Sequence, residues 1–440
     1  MQEYKFAESE EGFSSKIGIF DPPKMDTAIL DTERVRYYPK AAISEGSPLV
    51  FRVEPFSGGY IDGPGTTMTI DMKIVDEKNK AVTAADLVTL TNLPTSSVFS
   101  QVSLTMSGVE VNPDVGSMHA YKNYMEMLLL VDREAKTSVG EQRGYYQDST
   151  GAVGTTDPTA AAASPNAGLL SRHALTSAGQ TLTVKGGLGL DVLDQLSRYL
   201  VNGVNMYITF YQATDAFRLL AKAATTKYKL SIESMYLTVK YIKLRPEVLV
   251  RHSELLAGGK NALYPYPRTH MRNHIIPQGV NSFSVSQVLA DRIPSLMIVG
   301  LVDAEGFSGS LVKSPFNFEN FDVNYLSLQV GSHSVPDRPM EPDFEGDKFS
   351  EEYDAFLAVT RGQGSTFSKK DFKEGNCLFC FSIQDHLDIR DGVFPVIRKA
   401  NTRLEIRFKK NLTKAVVAVI YMVTPGLYNV SESRTVGVEY

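Results

Sequence analysis

Apolar and polar residues alternate in short runs along most of the chain, as in Leu49-Val-Phe-Arg-Val53, Met68-Thr-Ile-Asp-Met-Lys-Ile74 and Val102-Ser-Leu-Thr-Met106. The same texture returns in Tyr228-Lys-Leu-Ser-Ile232, Tyr236-Leu-Thr-Val-Lys-Tyr-Ile242, Phe283-Ser-Val285, Leu326-Ser-Leu-Gln-Val330, Leu404-Glu-Ile-Arg-Phe408 and 416–422. A period of two sends successive side chains to opposite faces of a strand, so the pattern predicts an all-β protein. Helical spacing is confined to 118–136, 192–200, 247–256 and 351–359, which predicts a few helices set into long loops. In 118–136 the residues Tyr121, Tyr124, Met125, Leu128, Leu129 and Val131 cover one face, with Lys122, Glu126 and Arg133 elsewhere. That arrangement predicts an amphipathic helix packed on its own β-unit. Segment 148–166, with Gly151-Ala-Val-Gly154 and Ala160-Ala-Ala-Ala-Ser-Pro165, has little material for a core and is expected to be an exposed, mobile insertion.

An internal similarity organises these runs. Gln101-Val-Ser-Leu-Thr-Met-Ser-Gly-Val-Glu-Val111 lies on Tyr325-Leu-Ser-Leu-Gln-Val-Gly-Ser-His-Ser-Val335, matching Ser103 with Ser327, Leu104 with Leu328 and Val111 with Val335. A proline follows each copy closely (Pro113, Pro336), and a helical segment follows in turn, near Met118 and Glu351. Two β-repeats are expected, each with a helix in the same loop. A chain of 440 residues agrees, since one core stops growing beyond roughly 250 to 300 residues. The expected division is an N-terminal arm over 1–45, a first unit over 46–244 and a second over 245–440. Leu244-Arg-Pro246 marks the break, where proline ends the strand run of the first half.

Composition narrows the function. The chain is 43% hydrophobic and 22% charged, as ordinary globular proteins are. Its longest apolar run, 415–423, suits a buried strand and falls far short of the roughly 20 residues of a membrane-spanning helix. The start, Met1-Gln-Glu-Tyr-Lys-Phe-Ala-Glu-Ser-Glu-Glu11, is acidic where a signal peptide is basic and then apolar, so export by that route is not expected. Two cysteines, Cys377 and Cys380, exclude a disulfide framework and fit a reducing compartment. A net charge of −5 supplies no bulk positive field, so no specific nucleic-acid binding is expected.

Candidate chemistry is sparse. Cys377-Leu-Phe-Cys380 has CxxC spacing, but a structural zinc needs about four ligands and the chain has no second pair, so buried structural thiols are expected. His270 and His274 would share a face of a strand without a placed third ligand, which reads as a surface or interface pair. Glu341, Asp343, Glu345 and Asp347 read as a solvated loop rather than a calcium site. The sequons at Asn411 and Asn429 read as accidental without a signal peptide. Arg407-Phe-Lys-Lys410 and Lys369-Lys370 read as ion-paired edges. Phosphate-loop, zincin and serine-hydrolase signatures are absent from the sequence. No catalytic, cofactor or metal residue is therefore assigned.

Several stretches, in order and spacing, carry a family resemblance over nearly the whole chain. They are Ile19-Phe-Asp-Pro-Pro23, Gly59-Tyr-Ile-Asp62, Ser97-Val-Phe-Ser-Gln-Val-Ser103, the helix Tyr121 to Ser138 (Tyr-Lys-Asn-Tyr-Met-Glu-Met-Leu-Leu, ending Ala-Lys-Thr-Ser), Pro315-Phe-Asn-Phe-Glu-Asn-Phe-Asp-Val-Asn324, Pro339-Met-Glu-Pro-Asp-Phe344 and Asn401-Thr-Arg-Leu-Glu-Ile-Arg-Phe408. The chain resembles the double jelly-roll major capsid proteins of Polinton/Maverick elements and adintovirus-like viruses, in the lineage of adenovirus hexon and tailless-phage capsids. The 151–165 insertion departs from that pattern. The resemblance implies two tandem eight-stranded jelly rolls and homotrimers that approximate hexagons and tile an icosahedral shell. It further implies neighbouring capsomers, penton proteins and minor capsid proteins as partners, a place in the virion, assembly in cytoplasm or nucleus, and no enzymatic activity. The competing readings are a carbohydrate-binding or carbohydrate-active β-sandwich, disfavoured by the lack of Trp, a minor capsid or penton protein, disfavoured by the doubled repeat, and a domesticated host gene.

Overall fold

In a computed structural model, residues 25–159, 165–224, 227–289, 292–360, 367–383 and 398–439 are described. Residues 1–24 and 160–164, with the motif Ile19 to Pro23, lie outside the described residues.

Among the described residues, two successive sets of eight strands build the molecule, with three short strands besides: Val88–Leu90 paired with Leu219–Ala221, and Val436–Glu439 paired with the strand Val416–Val430. The first set is β1 (Ile29–Tyr37), β2 (Leu49–Val53), β3 (Gly59–Asp76), β4 (Phe99–Met106), β5 (Val109–Glu110), β6 (Leu182–Gly186), β7 (Met206–Gln212) and β8 (Tyr228–Leu244). The second is β9 (Ala262–Ile276), β10 (Ser282–Val285), β11 (Leu296–Asp303), β12 (Val323–Val330), β13 (His333–Met340), β14 (Leu378–Ser382), β15 (Thr402–Phe408) and β16 (Val416–Val430). The first half forms sheets ordered β1-β8-β3-β6 and β2-β7-β4-β5; the second forms β9-β16-β11-β14 and β10-β15-β12-β13. Each strand of the second half takes the place of the strand eight positions earlier. The halves therefore share one interleaved antiparallel wiring, and a helix that begins at Pro246 follows β8.

Alternation explains the cores. Along β4, Val102, Leu104 and Met106 are buried, with half-exposed residues between them. The internal repeat falls on equivalent strands, since Leu104 on β4 and Leu328 on β12 are both fully buried. In the first half, Phe51, Ile70, Leu104, Phe210 and Leu237 from both sheets form one cluster. Phe210 meets Phe51 edge-on at 5.6 Å and lies 4.9 Å from Phe99. In the second half, Val299, Leu326, Phe379, Ile406 and Val419 do the same. β16 is buried on both faces over most of its length, so its apolar run is nearly continuous instead of alternating.

Three expectations need correction. The arm over 1–45 is too long, because Ile29–Tyr37 is β1, paired antiparallel with β8 at an edge of the first half. The 118–136 helix is in fact α1 (His119–Leu129), followed by short turns. It is buried on nearly all sides, Lys122 included, and its apolar residues join the core of the second half rather than that of its own. Finally, the described part of 148–166 is not an exposed insertion. Ala152 and Val153 are buried, and buried Asn166 accepts from the amides of Ser149 and Gly168 while donating to the Ala152 carbonyl. Asn166 thereby caps α2 (Ala167–Thr176).

Candidate interaction surfaces and the seam between the halves

The two halves are joined along a seam to which each lends residues. From the first half, α1 enters the second core: the Tyr121 hydroxyl donates to the Pro315 carbonyl at 2.9 Å, and Tyr124 stacks flat on Phe316 at 4.1 Å and 7°. From the second half, Tyr264 and Tyr266 of β9 and Tyr428 and Val430 of β16 join the first core.

At the centre of the seam sits a buried charge cluster. Lys122, 2% exposed, meets Asp191 at 2.7 Å and Glu126 at 3.0 Å, and also donates to the Gly189 carbonyl. Gly189 adopts φ 71°, and a Cβ there would strike Asn123, so glycine is required. Asp191 opens α3 (Asp191–Asp194) and accepts from the Thr269 amide of β9, while the Tyr421 hydroxyl of β16 donates to Glu126. Burial works to deprotonate Lys122, but Asp191 and Glu126 more than offset it and raise its pKa. Burial raises Glu126 to about 7 against the pull of Lys122. His119 is held neutral, lowered to about 3 by burial and by Lys122.

A second crossing lies nearby. Asp114, in the loop before α1, accepts from Arg268 Nε at 2.6 Å, and its Oδ1 lies 3.3 Å from His270 Nδ1, both partners being on β9. Burial would raise the Asp114 pKa, but His270 and Arg268 bring it down to about 2. The stability this contributes is present above the ordinary carboxylate value and is lost as pH falls through about 2. We expect Asp114→Asn to cost about 2 kcal/mol at pH 7, with the deficit closing toward pH 2, as read from urea unfolding at several pH values.

The other sequence candidates fall into place. Cys377 and Cys380 are fully buried, and burial raises both thiols well above the ordinary value, so neither is poised as a thiolate. His270 and His274 share β9 without converging: His270 bonds Thr424 at 2.9 Å and His274 sits against Phe283. Asp343 and Glu345 are paired with Lys409, and Asp347 lies near Lys369 and Lys373. Arg407 pairs with Glu405. Among the described residues no three His, Cys, Asp or Glu side chains are grouped as metal ligands, and no helix is long and apolar enough to cross a membrane.

One groove of the surface is apolar. Where α4 (Pro246–Ala257) links the halves, a groove of about 550 Å³ is lined by Ile29, Tyr199, Val248, Leu255, Leu263 and Tyr264, among others. Tyr199 and Leu263 are exposed, as are Leu30 and Val250 close by in the chain.

Comparison with solved structures decides the fold. A chain in the cryo-EM structure of the Sputnik virophage superposes with a TM-score of 0.65 at 12% identity, over 98% of this chain and 93% of that one. The fold is a double jelly roll. The Faustovirus major capsid protein gives a TM-score of 0.54 at 9% identity, covering 93% and 92% of the two chains. The mavirus major capsid protein gives 0.50 at 10% identity, covering 99% and 97%. By sequence, the chain is 24% identical over 385 residues to an uncharacterized Caenorhabditis elegans protein, covering 84% of this chain and 88% of that protein. No family model matches the chain. The β1-β8-β3-β6 and β2-β7-β4-β5 sheets make up one roll, and their second-half counterparts the other.

The charge cluster was missed in the sequence. Lys122 and Glu126 at i and i+4 look like a solvated surface pair, yet apolar residues at 120, 121, 124, 125 and 127–129 leave little room for a wet face. That conflict was the available signal.

Proposed function

We propose that this protein is a viral major capsid protein of the Polinton/Maverick and adintovirus-like kind, with a structural rather than catalytic role. In this reading three chains form a pseudo-hexameric capsomer, and capsomers tile an icosahedral shell in contact with penton and minor capsid proteins. The observation that carries it is the repeated wiring: strand for strand, the second roll repeats the first, so one chain presents two near-equivalent bodies and three chains present six. Likeness to capsid proteins over nearly the full length of both chains supports it. The seam supports it as well, because α1 fixes the rolls to each other, as a rigid building block requires. The rolls divide at Leu244, and the groove beside α4 belongs to a subunit contact.

Negative-stain microscopy of the purified chain tests the reading. Hexagonal particles about as wide as two rolls on each side, or closed shells, are the expected images. A dispersed monomer with glycosidase activity would instead favour the sugar-active sandwich.

A further inference from the structure

We propose that the Lys122, Glu126 and Asp191 cluster is a proton-operated latch between the two rolls, tight when Glu126 holds a proton and looser when it ionises. Nothing in this latch depends on the capsid role.

The geometry supplies the reason. One ammonium, Lys122, serves two carboxylates, and it stands closer to Asp191 (2.7 Å) than to Glu126 (3.0 Å). Asp191 has further support from the Thr269 amide at 3.0 Å. Among the described residues, Glu126 has besides Lys122 a neutral donor, the Tyr421 hydroxyl at 3.1 Å. When both carboxylates are ionised, the buried cluster carries one negative charge in excess, and burying an uncompensated charge is costly. The remaining groups facing Glu126 do not cancel it. On α1, His119 is buried and neutral at physiological pH. On α3, Asp194 adds negative charge when ionised; its Oδ2 accepts from the Gly189 amide, and Arg143 lies close enough to act on it. β9 contributes the uncharged Thr269 and, in the cavity beside Lys122 and Asp191, Arg268, whose charge is met by Asp114; β16 contributes the hydroxyl of Tyr421. A single proton on Glu126 restores balance. The Glu126 side chain keeps 16% of its exposure, so the proton enters from that edge without unfolding. The elements holding the cluster come from both rolls, α1 and α3 from the first and β9 and β16 from the second, so its charge state acts directly on the seam.

The sign follows from the direction of the shift. Burial raises the Glu126 carboxyl above its ordinary value of 4.5, to about 7. Between those values the folded chain holds a proton that the unfolded chain has lost, so stability falls as pH rises and levels off above the upper value.

Unfolding of the full chain by urea from pH 5 to 8 tests this in wild type, Glu126→Gln and Tyr421→Phe. One linked proton gives the wild-type unfolding constant a component that rises by at most about tenfold per pH unit across the window. Glu126→Gln, a neutral isostere of the protonated acid, removes that component, so the variant gains on wild type from pH 5 to about 7 and holds that gain to pH 8. Tyr421→Phe takes away a hydrogen bond that favours the carboxylate, so the component persists to higher pH. Parallel profiles for wild type and Glu126→Gln would overturn the latch. Should Glu126→Gln fail to fold, a Tyr421→Phe profile identical in position to wild type would overturn it equally.

Discussion

Lys122→Met is expected to destabilise the protein by about 3–5 kcal/mol at neutral pH, among the largest losses available from a single side chain. The substitution keeps volume and apolar stem but takes the Lys122 ammonium from between Glu126 and Asp191. Both carboxylates remain in place, and Asp191 is still held by the Thr269 amide, so neither turns freely to water. The loss is the cost of orphaned buried charge rather than the worth of the ion pairs, which fixes two further outcomes. Acidification protonates Glu126, so the deficit shrinks toward pH 5. Adding Glu126→Gln removes one orphan and recovers part of the stability at pH 7. Denaturant unfolding of the three chains measures all of this, and a deficit under about 1 kcal/mol that does not vary with pH would mean that the cluster is hydrated.

Tyr124→Ala is expected to cost about 3–5 kcal/mol, the range for removing a large buried ring. Tyr124 is among the largest fully buried side chains, and it lies flat on Phe316, with Phe318 and Tyr145 within 6.3 Å. Since Tyr124 belongs to a loop of the first roll and Phe316 to the second, the stack ties the rolls together. A double-mutant cycle with Phe316→Ala isolates that tie, and a coupling of about 0.5–1.5 kcal/mol is expected. Zero coupling would place the stabilisation within one roll.

The strands of each roll were legible because sandwich strands keep a period of two, and the repeat that matches Leu104 with Leu328 falls on strands that occupy the same place in their rolls. Other elements were illegible for definite reasons. β1 is an edge strand in which Ile29, Glu33, Val35 and Tyr37 are only half buried, so its alternation is weak and it looked like an arm. Helix α2 follows a run of Ala and Ser, and although Asn166 was a capping signal, Gly168 weakened the helical pattern. For α1 the spacing gave the helix and its first buried face correctly, including Leu128. Periodicity cannot tell that the opposite face, with Lys122 and Glu126, is covered as well, by residues such as Asp191 and Tyr421 far away along the chain. The cluster around Lys122 was hidden for the same reason, since Asp191 and Tyr421 reach it only after both rolls have folded and met.

The central claim is that this double roll is a subunit of a trimeric shell block, and the mass of the purified chain in solution tests it most directly. Sedimentation equilibrium at micromolar concentration should return three times the 48.5 kDa of one chain. A stable species of one chain mass under the same conditions would contradict it.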